Sequence, residues 1–154
     1  MKGKVLGIYI SPVAKGIMQP VLEVDAIAGR GLKGDRYCNG QGSYNAKTGV
    51  GNRQVTLINA LFFHGSGFEW IESRRNLIVE DVELMWLIGK EFQVGAAKFR
   101  GVKYCDPCEI PKELARRETS FKEAFLDRGG LVAEVLECGS IKVGDTVIPP
   151  IKGY

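Results

Sequence analysis

Arg128-Gly-Gly-Leu-Val-Ala-Glu-Val-Leu-Glu-Cys-Gly-Ser-Ile-Lys-Val-Gly-Asp-Thr-Val-Ile148 reads as a strand, a tight turn and a closing strand. Its largely apolar run over 131–136 contains Val132 and Val135, and Gly139 and Gly144 punctuate the path to the short run over 146–148. The same pattern recurs upstream. Short apolar or alternating runs over 5–10, 21–27, 54–58, 76–79 and 92–99 predict further strands, with glycines between them. Gly29, Gly31 and Gly34 break the chain after the second run, and Gly40, Gly42, Gly49 and Gly51 mark a longer polar loop.

Helical signals are few. Asn59 is placed to cap a short helix through Ala60, Leu61 and Phe62 that ends near Gly65. A second helical piece, broken in its middle, is expected over 111–125, with Ser120 and Glu123 at capping-box spacing and Arg128-Gly129-Gly130 as its stop. Two short helices do not make alternating βα units. The fold expected is therefore mainly β: a closed or partly closed, mainly antiparallel barrel with small helices over its mouth, since closure hides sheet edges and leaves a rim for loops.

The chain has 154 residues, the length of one domain with a real core. Four cysteines are too few for a disulfide scaffold, and no apolar run approaches membrane-spanning length. A cytoplasmic location with reduced thiols is expected, with no membrane partner. Lys and Arg total 21 against 18 Asp and Glu, a net charge of +3. Eight of the basic residues but only three of the acidic ones fall within residues 1–60, which makes that part a candidate anion-binding surface. The basic residues are interspersed with glycine and form no dense helical stripe, which argues against nucleic acid.

Chemistry in a chain with one histidine, His64, is expected to rest on sulfur. Cys105 and Cys108 lie in Lys103-Tyr-Cys-Asp-Pro-Cys-Glu-Ile-Pro111. That spacing suits half a zinc site, a dithiol redox pair, or one functional thiol beside a bystander. Zinc needs further ligands, and Cys38 and Cys138 are single and distant in sequence. A thioredoxin-like pair belongs at the start of a helix in a βαβ unit, whereas here Pro107 and Pro111 follow glycine-bounded apolar runs.

Three polar segments carry candidate ligand groups. Gly29-Arg-Gly-Leu-Lys-Gly-Asp-Arg-Tyr37 has neither nucleotide-loop spacing, yet its glycines beside Arg30, Lys33 and Arg36 can wrap an anion. The alternative is a basic turn in which Asp35 pairs with an arginine. Arg53-Gln54 and Arg74-Arg75-Asn76 are polar starts to buried strands, and Asn76 offers both a donor and an acceptor.

Gly31-Leu-Lys-Gly-Asp-Arg, Arg53-Gln-Val-Thr-Leu-Ile, Arg74-Arg-Asn-Leu-Ile-Val, Gly89-Lys-Glu-Phe-Gln-Val-Gly, Cys105-Asp-Pro-Cys and Arg128-Gly-Gly-Leu-Val-Ala-Glu-Val with Gly144-Asp resemble, in this order, the MOSC domain family, named after the molybdenum cofactor sulfurase C-terminus. The resemblance covers most of residues 4–148 and implies a single MOSC domain over 1–154. It implies a β-barrel associated with sulfuration, delivery or use of the molybdenum cofactor. Its characteristic cysteine corresponds to Cys108, the proposed catalytic group and metal ligand, and its signature asparagine to Asn76. Cys105 resembles an additional cysteine of some single-domain members. The aminotransferase-like portion of full sulfurases is missing, so pyridoxal phosphate is not expected.

Molybdopterin joins a phosphate, a polar pterin edge and a dithiolene-bound metal, which match arginine, asparagine and thiolate. The expected cofactor is therefore molybdenum–molybdopterin. Arg30, Lys33, Arg36, Arg53, Arg75 and Arg128 are the candidates for its phosphate end, Asn76 for its pterin and Cys108 for metal ligation or persulfide transfer. Expected partners are a sulfur donor, a molybdoenzyme acceptor or an electron-transfer protein. The alternatives are a molybdenum-dependent reductase of N-hydroxylated substrates that draws on an external electron carrier, and a non-enzymatic zinc- or thiol-containing binding module.

Overall fold

Strand β1 (Gly3–Ile10) closes the molecule on itself. A computed structural model describes residues 2–41, 51–107 and 119–150. Along one edge β1 pairs first with β11 (Thr146–Ile148), through Gly3 and Val147, and then with β2 (Gln19–Val21), through Ile8 and Val21. Its other edge pairs with β6 (Leu77–Glu80). From β6 the sheet continues through β5 (Val55–Asn59), β9 (Leu131–Glu137), β8 (Ala97–Tyr104) and β7 (Glu91–Val94) back to β11. The result is a seven-stranded barrel, with β2 appended to β1 beyond the end of β11. A three-stranded sheet of β10 (Gly139–Lys142), β3 (Glu23–Ile27) and β4 (Gly31–Leu32) lies beside it.

Period-two alternation fills the interior. Leu131, Ala133 and Val135 of β9, Val55 and Leu57 of β5, and Leu77 and Val79 of β6 belong to one buried cluster with Phe92 and Phe99. On β1 the inward residues are Val5 and Ile8, an odd step. A register shift between Val5 and Gly7 produces it, because a bulge moves the following side chains to the opposite face.

β5 and β6 are buried on both faces. Ile58 and Ile78 point away from the interior cluster into a second one with Phe63, Phe68, Phe121 and Phe125. Phe121 and Phe125 stack at 4.5 Å, and Phe63 meets Phe125 at 4.9 Å. Phe63 ends the 3₁₀ turn Ala60–Phe63, Phe68 lies in the loop after it, Phe121 opens α1 (Phe121–Ala124) and Phe125 is that helix's C-cap. Burial on both faces explains the near-continuous apolar runs of these two strands, which form the barrel's parallel pair.

Several expectations change. The run over 92–99 is a hairpin: Val94 pairs with Ala97 across Gly95-Ala96, with Gly95 at φ +55. The run over 21–27 divides at Leu22, which is 81 % exposed, so that β2 joins the barrel and β3 the small sheet. Residues 139–142, read as part of a turn, form β10 and pair with β3. Asn59 precedes a 3₁₀ turn and makes no side-chain cap. The Ser120–Glu123 capping box forms as expected, while residues 111–118 of the expected second helix lie outside the described residues. Among the described residues no helix is long and apolar enough to cross a membrane.

Candidate functional site

β8 runs out at Tyr104, and the two residues after it are held by the Gly130 carbonyl and by the side chain of Arg75. Cys105 is fully buried, and its N–H donates to the Gly130 carbonyl at 2.9 Å. Arg75, 5 % exposed, donates from Nε to Gly129 O (2.7 Å), from Nη1 to Ser73 O (3.3 Å), and from Nη2 to Asp106 O (3.1 Å) and Cys105 O (3.5 Å). One guanidinium thus ties three segments together, a task for which its planar fork of donors is suited.

Gly129 is required by the same packing. A Cβ there would lie 2.1 Å from the Cys105 carbonyl oxygen and 2.9 Å from Pro107. Gly130, at φ +107, would place a Cβ 2.0 Å from Leu57 O. The Arg128-Gly-Gly motif is therefore a seat for the Cys105–Pro107 backbone.

Charge gathers on the other side of Cys105. Arg53 Nη2 lies 3.5 Å from Cys105 Sγ, and its guanidinium carbon is 5.6 Å from the Tyr37 ring centroid. The Arg36 guanidinium carbon is 4.4 Å from the same centroid. Arg36 is buried and bonded to Asp35 Oδ1 (3.1 Å), Tyr37 OH (3.3 Å) and Arg74 O (3.2 Å). The expected alternative of an Asp35–arginine pair is thus present. Burial pushes the Asp35 carboxyl above the usual range, against the opposing effects of Arg36, the Ser11 and Tyr37 N–H groups and Asn76. Arg30, exposed, donates to the Cys38 carbonyl at 2.7 Å, next to Tyr37 in the chain.

Asn76 is fully buried. Its Oδ1 accepts from Thr56 N (3.0 Å) and Thr56 Oγ1 (3.2 Å), and its Nδ2 donates to Tyr9 O (3.1 Å). This amide cross-links β1, β5 and the start of β6, and its groups face protein where the sequence reading aims them at a ligand. Lys33 is exposed. Arg128 is exposed as well, with its guanidinium carbon 5.9 Å from the Phe62 ring centroid. Among the described residues, no hydrogen bond or ion pair joins either side chain to Arg36 or Tyr37.

Cys108, the expected ligand and nucleophile, lies outside the described residues. Cys38, Cys105 and Cys138 are free thiols, and no three His, Cys, Asp or Glu side chains cluster as a metal site among the described residues. Tyr37 was not singled out in the sequence. The cue was its place after Gly-Asp-Arg, where an aromatic beside a cation reads equally well as core. Thr56, the partner of Asn76, carried no cue at all.

The profile of the MOSC domain matches residues 53–148. The chain belongs to the MOSC domain family. Arg53, Arg75, Asn76 and Arg128 fall inside the matched span, while Arg30, Lys33 and Arg36 precede it. The fold agrees with solved structures. The YuaD protein from Bacillus subtilis superposes with a TM-score of 0.76 at 18% identity, over 96% of this chain and 94% of that one. YiiM from Escherichia coli gives 0.64 at 15% identity, over 99% of this chain and 71% of its own. YiiM from Geobacillus stearothermophilus gives 0.62 at 13%, over 99% and 77%. At these identities the likeness concerns the fold alone. No curated protein matches the chain.

Proposed function

We propose that this MOSC protein binds the molybdenum cofactor and uses Cys108 either as a thiolate ligand to molybdenum or as the carrier of a sulfane sulfur. The observation that carries the reading is the anchored stem: Arg75, Gly129 and Gly130 hold the backbone from Cys105 to Pro107, and Cys108 is the next residue in the chain. A functional thiol is best presented from a fixed support, and a fixed support beside cations favours a thiolate.

The residues fit the cofactor in two of its three parts. For the phosphate end, Arg53 and Arg30 retain exposed surface near Tyr37, and Arg36 adds buried positive charge. Lys33 and Arg128 belong to the same proposed cation set as more distant members. For the metal, bound molybdopterin supplies its own dithiolene sulfurs, so one protein thiolate at Cys108 is sufficient. For the pterin edge the fit is poorer, since the Asn76 amide is already engaged. Asn76 and Arg75 are better assigned to holding the frame than to touching ligand.

In sulfur transfer the Cys108 thiolate attacks the outer sulfur of a donor persulfide, a sulfur–sulfur bond forms, and the donor leaves as a thiolate. No net electrons are exchanged and no further co-reactant is needed. Reduced thiols suit a cytoplasmic setting, and a sulfur donor and a molybdoenzyme acceptor would be the partners.

Alkylation followed by peptide mass spectrometry tests this proposal. Anaerobic addition of molybdenum cofactor should protect Cys108 from iodoacetamide if it ligates the metal. Treatment with a persulfide donor should add one sulfur at Cys108, transferable to an acceptor thiol, if it carries sulfur. A Cys108 that shows neither protection nor transferable sulfur would end the proposal.

A further inference from the structure

We propose that the groove between the outer face of β1 and β6 and the 59–64 turn binds a small planar organic cation of the amidinium or guanidinium class. This site is separate from the Cys105 stem and does not rest on the cofactor reading.

The groove is a cavity of about 580 Å³, within the range of small-molecule sites. Phe62 and Trp70 form its aromatic walls, and Glu80, Asp81 and Glu83 its rim. Its lining contains no lysine or arginine, although the chain as a whole is net positive. None of the three carboxylates forms an ion pair among the described residues. Glu83 Oε1 accepts one main-chain bond, from Met85 N at 3.1 Å, which leaves its second oxygen available. The basic groups nearest the rim are Lys4, opposite Glu80 in the β1–β6 ladder, His64 in the lining, and Arg128, which lines the adjoining cavity with Glu83.

The walls are formed in advance. Gly7 leaves room for the indole of Trp70, since a Cβ there would stand 3.3 Å from the ring. A reciprocal Glu69–Glu72 capping box fixes the turn that carries Trp70. A smaller cavity of about 100 Å³ shares Asn59, Phe62 and Glu83 with the groove and reaches Arg128. There the chain supplies its own example of the ligand class: the Arg128 guanidinium lies 5.9 Å from the Phe62 ring centroid. A planar cation on these rings gains cation–π attraction, and a fork of N–H donors matches a carboxylate in two-point fashion. Anions are repelled by the rim, so the groove is no place for a phosphate.

The probe is benzamidinium, compared with neutral benzamide by isothermal titration and by ¹H–¹⁵N NMR of the intact protein. Benzamidinium is expected to bind with a dissociation constant of about 1 mM and to shift the signals of Leu61–His64 and the Trp70 indole. Benzamide, and benzamidinium with a Glu80→Gln/Glu83→Gln protein, should each be about tenfold weaker. Asp81→Asn keeps a residue that tolerates φ +58 and should weaken binding without unfolding the chain. Equal binding of benzamide, unchanged affinity in the carboxamide variants, shifts mapping to the Arg53–Cys105 end, or no saturation at about 10 mM would each overturn the proposal. So would an arginine-containing hexapeptide that binds about tenfold tighter with shifts beyond the groove, since the occupant would then be a partner protein's arginine.

Discussion

Arg75 shows how a buried charge becomes part of a frame. Its guanidinium is taken out of water and met by carbonyls from Ser73, Cys105, Asp106 and Gly129. Hydrogen bonds from a charged donor are stronger than neutral ones, and removal of the donor leaves buried acceptors without a partner. Arg75→Met is therefore expected to lower unfolding free energy by about 2–4 kcal/mol in urea titrations, with Arg75→Lys intermediate because a point charge cannot span all four oxygens. A loss below about 0.5 kcal/mol would show that the clamp is ornamental. Gly129→Ala drives a methyl group into the Cys105 carbonyl, a backbone atom that cannot swing aside. It should cost about 1–3 kcal/mol and raise the alkylation rate of the normally buried Cys105. Unchanged stability and an unreactive Cys105 would contradict the packing described. Asp35→Asn leaves Arg36 charged and turns a donor toward the Ser11 or Tyr37 N–H. About 3–5 kcal/mol of destabilisation is expected from equilibrium unfolding, and a neutral result would contradict the buried Asp35–Arg36 pairing described.

The parallel β5–β6 pair is the element on which barrel and site both depend, because the residues just before these strands, Arg53, Arg75 and Asn76, reach the anchored stem or cross-link the sheet. Its outer face is covered by Phe63, Phe121 and Phe125. Phe125→Ala empties a fully buried position among the rings of Phe63, Phe68 and Phe121 and should cost about 3–5 kcal/mol by urea unfolding; a change under about 1 kcal/mol would mean that the cover is loosely packed. Most barrel strands were legible because alternation and glycine breaks report burial and turning locally. The β7–β8 hairpin was not, since Gly95-Ala96 lacks the Asn-Gly or Asp-Gly signature and the alternation passes through it. Partner choice was equally hidden: periodicity tells which face is buried, not which strand lies alongside. The site was legible as residue types only. That Arg75 reaches Gly129 and Asp106, and that Asn76 spends its amide on Thr56 and Tyr9, depends on contacts between distant segments that no local pattern encodes.

At the scale of the molecule, the barrel separates two kinds of surface. One holds the cations and aromatic ring of Arg36, Tyr37 and Arg53 beside the Cys105 stem, and the other holds the carboxylates of Glu80, Asp81 and Glu83 around Phe62 and Trp70. The central claim concerns the first surface. It is tested most directly by loading the protein anaerobically with molybdenum cofactor, passing it through gel filtration, and measuring molybdenum and phosphorus in the protein peak. Wild type should retain both elements together, Arg53→Ala should lose both in parallel, and Cys108→Ser should lose more molybdenum than Cys105→Ser does. Molybdenum and phosphorus that elute apart from the wild-type protein, or that stay with Cys108→Ser and Arg53→Ala as fully as with wild type, would contradict the account.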